Sequence, residues 1–443
     1  MNALIFDGSP ESDAAGIRVA GELGRLLAAA GYDAEQVVLR QRLIANCNGC
    51  FGCWLKTPGV CVIDDDNREL SRRMIASDLL VLLTPVTFGG YSPELKKMLD
   101  HLIANISPFF ARIDGETHHR RRYDSYPDLL VVGWQDEPDA RQEAVFRHLV
   151  FRNSVNFYAA RTGCAVLHAT QRADVIQKEL AAQLLKLGNP AAQPEGQSLS
   201  LPEPVSLNRP LRKAVLLAGS PRMAKSTSAS LGGYLLEELG TRGVAAETIH
   251  IYRALHDRVK LMELFEAINR ADLCILSFPL YIDSIPAPVL TFMQQLCEYR
   301  KANPSCCGFM AIANCGFIES RHNVTALAIC AEFARASGFT WTGSIALGGG
   351  EGLVHGRPLR DLGGPVTPCK KSLDRVAGAL ADGQPVPDDA RRQLAKPFVP
   401  GWIYRFVGSM NWKTQARRNG ILHRLGDQPY RSQPETGTIS PFC

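Results

Sequence analysis

Apolar positions recur along the chain in two rhythms, and the order of those rhythms predicts a fold. NALIFDGSP at 2–10 is a short apolar run closed by Gly-Ser-Pro, and from about Ile17 to Ala30 apolar residues return at helical spacing. A strand, a turn and a helix are expected there. Val37, Val38 and Leu39 suggest a second strand, and a helix is expected from about Asn67 to Ala76. LLVLLTP at 79–85 is a continuous apolar run, as a strand covered on both faces requires. Phe88 to Ser92 form a glycine-containing loop before PELKKMLDHLI, which is amphipathic and helical. This βαβα alternation predicts an α/β chain with a doubly wound parallel sheet.

The second half repeats the first. VLLAGSP at 215–221 matches LIFDGSP at 4–10, and the stretch from Leu273 matches the stretch from Leu79 in order, pattern and punctuation. Further strands are expected at 128–134 and 163–169 in the first copy, and at 308–316 and 344–350 in the second. Five strands per copy is the count of a flavodoxin-like sheet. The expected architecture is therefore two such sheets in tandem: 1–188, a linker over 189–210 rich in proline and polar residues, 211–385, and a tail over 386–443. Gly8 precedes Pro85 by 77 positions, whereas Gly219 precedes Pro279 by 60. The excess of 17 in the first copy is close to the length of one unusual segment, which reads as an insertion.

That segment, NCNGCFGCWLKTPGVCVIDDD at 46–66, places Cys47, Cys50, Cys53 and Cys61 in fifteen positions. Gaps of two residues let consecutive sulfurs converge on one centre, with Gly49 and Gly52 supplying tight backbone. The triple C-x2-C-x2-C resembles iron-sulfur ligation more than the separated pairs of structural zinc. The fourth cysteine departs from the ferredoxin pattern, so a zinc or redox-active dithiol site and plain buried thiols stand beside a four-iron cluster as readings.

At 443 residues and 46% hydrophobic the chain suffices for two or three domains, and a net charge of +5 is too mild to make nucleic acid the main partner. No signal peptide and no apolar run of transmembrane length is visible, so a cytoplasmic protein is expected. Thirteen cysteines then favour thiols or metal ligands over disulfides.

In the second copy, GSPRMAKSTSAS at 219–230 sets Ser220, Arg222, Lys225, Ser226, Thr227 and Ser228 after a strand and before a helix. Hydroxyls, free amides and two cations at a helix N-terminus make an anion site. The spacing fits neither a P-loop nor a dinucleotide fingerprint, so a phosphate monoester is expected. In the first copy, Glu11 and Asp13 stand in the corresponding loop and would repel a phosphate.

These residues carry a resemblance. The chain resembles a tandem of flavodoxin-like domains of the NAD(P)H-dependent FMN reductase family, and its first half is similar to iron-sulfur flavoproteins. The resemblance implies that Ser220, Arg222, Lys225, Ser226, Thr227 and Ser228 hold an FMN phosphate. It further implies that Pro279, Leu280, Tyr281 and Ile282 lie against the flavin ring, with Asn314, Cys315 and Gly316 at its edge. It implies metal ligation by Cys47, Cys50, Cys53 and Cys61. In the first copy threonine (Thr87) replaces the tyrosine of the ring loop, which weakens the case for flavin there. The activity implied is FMN-dependent oxidoreduction, with NAD(P)H as transient donor or a reduced carrier in its place. The acceptor would be a flavin, quinone or protein, and a homodimer would complete the pocket. The rival is a non-enzymatic flavin and iron-sulfur electron carrier; a third reading is a cofactor-free zinc scaffold.

His118 and His119, beside Arg120, Arg121 and Arg122, read as a solvated loop. Asp64, Asp65 and Asp66 read as an acidic N-cap, and the vicinal Cys306 and Cys307 as thiols on opposite faces. From Lys396 to Gly426 the tail carries Trp402, Tyr404, Phe406 and Trp412 among six Lys and Arg side chains and no acidic residue. An arm packing onto the body is expected; phosphate or membrane binding is the alternative.

Overall fold

Two parallel sheets of five strands form the framework. The computed structural model describes residues 1–189 and 198–431; positions 190–197 of the expected linker and 432–443 of the expected tail lie outside the described residues. The first sheet contains β1 (Asn2–Asp7), β2 (Asp33–Val38), β3 (Leu79–Pro85), β6 (Asp128–Gln135) and β7 (Thr162–His168), in the order β2-β1-β3-β6-β7. The second contains β8 (Lys213–Ala218), β9 (Ala245–His250), β10 (Leu273–Pro279), β11 (Gly308–Asn314) and β12 (Thr340–Leu347), in the order β9-β8-β10-β11-β12. Counted within each copy, both orders are 2-1-3-4-5, the flavodoxin-like winding. Leu79 to Leu83 and Leu273 to Leu276 are all buried, which explains why these strands read as unbroken apolar runs.

The helices of the first half are α1 (Ala14–Ala29), α2 (Gly52–Leu55), α3 (Asp66–Ala76), α4 (Pro93–Leu99), α5 (Ala140–Asn156) and α6 (Ala173–Leu187). The second half adds α7 (Thr227–Gly240), α8 (Ile251–Ala254), α9 (Arg258–Asn269), α10 (Ala287–Ala302), α11 (Val324–Ala336), α12 (Gly350–Val354) and α13 (Thr367–Ala381). The chain ends in α14 (Asp388–Leu394) and α15 (Gly401–Arg418). As expected, Asp65 caps α3 by accepting from Asn67 N.

Between the sheets each helix meets its own counterpart: α4, after the third strand of the first copy, packs on α10, and α5 packs on α11. Pairing of equivalent surfaces is the signature of a two-fold arrangement. One core runs through this layer, and Phe88 of the first copy meets Phe333 of the second edge-on at 5.3 Å. Each such aromatic contributes roughly 2–3 kcal/mol by burial. Polar contacts fix the register: Lys96 Nζ, fully buried, pairs with Asp100 and donates to Tyr281 O at 2.7 Å, while Asp100 Oδ2 accepts from Ala287 N at 3.0 Å.

Three features differ from expectation. Residues 106–121, with no strand foreseen and the histidines read as solvated, form an antiparallel hairpin of β4 (Ile106–Ile113) and β5 (Glu116–Arg121). His118 is buried there, and His119 stacks on Phe110 and lies tilted against Trp54, because the hairpin is wedged between the halves by Thr117, which donates to Glu319 at 3.0 Å. The helix expected over 93–103 stops at Leu99 and gives way to a tight turn at Leu102–Asn105. The strand expected at 344–350 instead spans Thr340–Leu347, since Gly349 adopts a left-handed conformation that turns the chain into α12.

Candidate functional site

One cavity of about 750 Å³ lies where the two halves and α15 meet. That is within the range of small-molecule and cofactor sites. Its walls include Ser220, Arg222, Ser226, Thr227 and Ser228 from the loop and helix start after β8, and Pro279 to Ile282 after β10. Asn314, Cys315 and Gly316 after β11 complete this side. Cys47, Cys50, Cys53 and Cys61 line the opposite side. Every residue expected to touch a cofactor is thus brought to one cavity except Lys225, which is exposed and outside its lining.

The anion end is built by local rules. Ser226 caps α7 and accepts from Ala229 N at 3.1 Å. The N–H groups of Thr227 and Ser228, at the first two positions of the helix, have no intrahelical acceptor. With the hydroxyls of Ser220, Thr227 and Ser228, all buried, they form an anion cradle. The cradle's charged groups are presently engaged by protein: Arg222 pairs with Glu351 at 2.6 Å and lies over the Phe51 ring at 5.4 Å, and the Thr227 hydroxyl donates to Glu351 at 3.4 Å.

The loop after β10 is a two-residue turn. Tyr281 N donates to Ser284 O at 3.0 Å and Ser284 N to Tyr281 O at 3.1 Å, with φ of 43° at Ile282 and 57° at Asp283. Positive φ at a β-branched residue is costly, and such strain persists where surroundings fix it. Here Asp283 accepts from Asn156 at 2.7 Å and Asn153 at 3.0 Å, both on α5 of the other half. The first copy makes the same turn at Thr87–Gly90 with Phe88 and Gly89 at φ of 54° and 80°.

In the first copy the corresponding helix start is held by the loop's own carboxylate, beside a smaller cavity of about 330 Å³ lined by Ser9, Ser12 and Asp13. Asp13 caps α1 by accepting from Ala15 and Gly16 N, each at 3.0 Å, and from the Trp134 indole at 2.9 Å. Trp134 pairs with Pro85 as Asn314 pairs with Pro279, so an indole stands in the first copy where the second has the Asn314 amide. A carboxylate already holds the helix N-terminus, and no phosphate is needed there.

The cysteine segment faces the second copy directly. Gly49 has φ of 57°, and a β-carbon there would collide with the Tyr281 hydroxyl. Trp54, wholly buried, donates to Ile103 O and Ile106 O at 3.1 and 3.0 Å and fixes the end of the segment. Burial, reinforced by the Asp100 carboxylate, pushes Cys47 up to about 12; burial, reinforced by neighbouring thiols, holds Cys53 well above the usual thiol range, and burial also raises Cys61. Cys61 Sγ stands 3.4 Å from His101 Nδ1, whose Nε2 contacts Ala45 O at 2.7 Å. A carbonyl can only accept, so Nε2 donates to Ala45 O and Nδ1 faces the thiol. Among the described residues no three His, Cys, Asp or Glu side chains stand in a metal-holding group. The four sulfurs match a cysteine-ligated cluster in type and number, but would have to draw together and lose protons to hold one.

The tail supplies walls that sequence reasoning missed. Trp412 packs edge-on to Trp54 at 5.2 Å and to Phe51 at 5.3 Å, and Tyr404 donates to Gly316 O at 2.6 Å. α15 thereby spans from the cysteine segment to the segment after β11. The expected arm on the body is present in these residues, although Trp402 and Phe406 stay exposed. Cys306 is exposed and Cys307 buried, as alternation along extended chain requires.

Residues 1–135 match the family described as NADPH-dependent FMN reductase. An iron-sulfur flavoprotein of Methanocaldococcus jannaschii is 32% identical over 100 residues, covering 23% of this chain and 51% of the relative. An iron-sulfur flavoprotein of Methanosarcina thermophila is 28% identical over 103 residues, covering 23% and 53% respectively. The chain thus spans about half the length of these curated relatives. Among solved structures, the NAD(P)H:quinone oxidoreductase from Methanothermobacter marburgensis aligns at 13% identity and a TM-score of 0.34, over 41% of this chain and 96% of that one. An FMN-dependent NADH-azoreductase from Bacillus anthracis aligns at 13% identity and 0.28, over 39% and 100%.

Proposed function

We propose that the protein is an FMN-dependent oxidoreductase that takes electrons from NAD(P)H and delivers them to a small acceptor, with FMN held by the second copy. The observation that carries this reading is the single cavity that joins the anion cradle, the strained turn at Tyr281–Ser284 and the segment after β11. FMN, when bound, accepts a hydride as an electron pair and can release electrons to an acceptor. The chain's own task is placement. Ser220, Arg222, Ser226, Thr227 and Ser228 hold the phosphate, Pro279 to Ile282 support the ring, and Asn314 and Gly316 bound its edge. Phe110, His119 and Trp412 shield the cavity from water.

The match of the first 135 residues to a flavin reductase family supports the reading, although the anion cradle lies in the other copy. In this account the first copy keeps the scaffold, gives up its own anion site to Asp13, and contributes the cavity wall that the implied homodimer would otherwise supply. The resemblance to iron-sulfur flavoproteins supports a further step: Cys47, Cys50, Cys53 and Cys61 would hold a four-iron cluster, which when bound supplies one-electron transfer.

Steady-state oxidation of NADPH and NADH by FMN-loaded protein, with a quinone or free FMN as acceptor, tests the enzymatic reading. Turnover is expected. Bound FMN that photoreduces normally but shows no turnover with either nucleotide would reject the enzyme in favour of the carrier.

A further inference from the structure

The outer side of α15 presents Trp402, Phe406 and Met410 at intervals of four, with relative exposures of 67%, 65% and 49%. Spacing of four places them on one face of a helix. Lys413 and Arg417 continue that face and are exposed, as is Arg418 beside them. No Asp or Glu lies between Lys396 and Gly426. The opposite side of the same helix is committed to the cavity through Tyr404, Gly408 and Trp412. Thus the cost of exposing two large aromatic side chains is not explained by packing within the described residues.

We propose that this face of α15 docks on an anionic lipid bilayer surface, as a peripheral contact. No helix among the described residues is long and apolar enough to cross a membrane. An interfacial helix buries a shallow apolar stripe at the boundary of headgroups and acyl chains, with cations on the polar side attracted to anionic lipid. Trp402, Phe406 and Met410 supply that stripe, and Lys413, Arg417 and Arg418 the charge. A protein partner is the weaker fit, because lysine is depleted from the cores of protein interfaces and here continues the apolar stripe itself. Val407, 57% exposed, also lines the cavity, so the docked face runs directly to the cavity mouth. The docking does not depend on the oxidoreductase reading.

Co-sedimentation of the full chain with vesicles of phosphatidylcholine, with and without phosphatidylglycerol, tests the proposal. Binding is expected only to the anionic vesicles. It should weaken as salt rises and fall about fivefold per cation removed in Lys413→Gln and Arg417→Gln. Trp402→Ser with Phe406→Ser should abolish it while leaving circular dichroism and thermal unfolding unchanged, because both side chains are exposed. Absence of binding at low salt, or equal binding by these variants, would overturn the proposal. Doubling of the solution molar mass that the Trp402→Ser, Phe406→Ser variant loses would assign the face to a second copy of the chain and overturn it equally.

Discussion

The guanidinium of Arg222 donates a 2.8 Å hydrogen bond to the carbonyl oxygen of Gly49. One residue belongs to the anion loop of the second copy and the other to the cysteine segment of the first. Gly49 in turn leaves room for the Tyr281 hydroxyl, so the inserted segment forms part of the wall of the proposed flavin pocket.

Substitution at Gly49 should therefore act on flavin binding without removing a thiol or a side chain that would hold the phosphate. In Gly49→Ala the new methyl group meets the Tyr281 hydroxyl at a backbone φ of 57° that disfavours alanine. FMN affinity, read by fluorescence quenching, should fall at least about tenfold, the effect of roughly 1.4 kcal/mol. Unchanged affinity would show that Tyr281 does not position the ring.

Glu351 holds the cradle closed by pairing with Arg222, and its carboxylate repels an incoming phosphate. Glu351→Gln should tighten FMN binding several-fold and reduce its dependence on salt. Weaker binding would mean that Glu351 orients Arg222 for the phosphate.

The fully buried Lys96–Asp100 pair braces the ring turn from the other half. Lys96→Ala leaves a buried carboxylate unpaired and should lower unfolding free energy by about 3–5 kcal/mol in urea titrations. Replacing both members, Lys96→Met with Asp100→Leu, should recover much of that stability yet leave FMN binding weakened, because the contact to Tyr281 O is still lost. Full recovery of binding would reduce the pair to a structural role.

Acid should loosen the contact between the halves. Burial lowers His119 to about 3, so between its ordinary 6.5 and that value the unfolded chain binds a proton that the folded chain refuses. Burial works to raise Glu319, but the nearby His322 ring at 3.6 Å and hydrogen bonds from Thr117 outweigh it and hold Glu319 down at about 2, below its ordinary 4.5. Both signs agree: stability declines as pH falls below about 6.5, and Glu319 adds to the loss below about 4.5. At pH 5 the His119 contribution is no more than about 2 kcal/mol. Urea midpoints that fall steadily from pH 7.5 to pH 4.5, with a shallower fall in His119→Phe, would agree; a flat profile would contradict it.

The sheets were legible because parallel strands covered on both faces leave unbroken apolar runs, as at Leu79–Leu83, and because the same punctuation occurs twice. The anion loop was legible through Ser226, Thr227 and Ser228, whose side chains report a helix start. The hairpin over 106–121 was not, since His118 and His119 beside three arginines read as polar surface, and only tertiary contacts with Trp54 and Asn156 of their own half and Phe317 and His322 of the other cover them. The first copy's unsuitability for phosphate was legible through Asp13 in its loop, whereas the placing of Trp134 where the second copy has Asn314 follows from the strand register. What α15 covers was beyond local pattern, because both of its sides carry aromatic residues and only tertiary contact distinguishes them.

The most direct test is the FMN content of protein purified as Ser9→Ala and as Arg222→Ala with Ser226→Ala, measured as flavin released per chain. One FMN per chain in the first variant and almost none in the second is predicted, since loss of charge-assisted contacts of roughly 1.5–3 kcal/mol each weakens binding by two orders of magnitude or more. Flavin lost from Ser9→Ala and retained by the double variant would place the cofactor in the first copy and contradict the account.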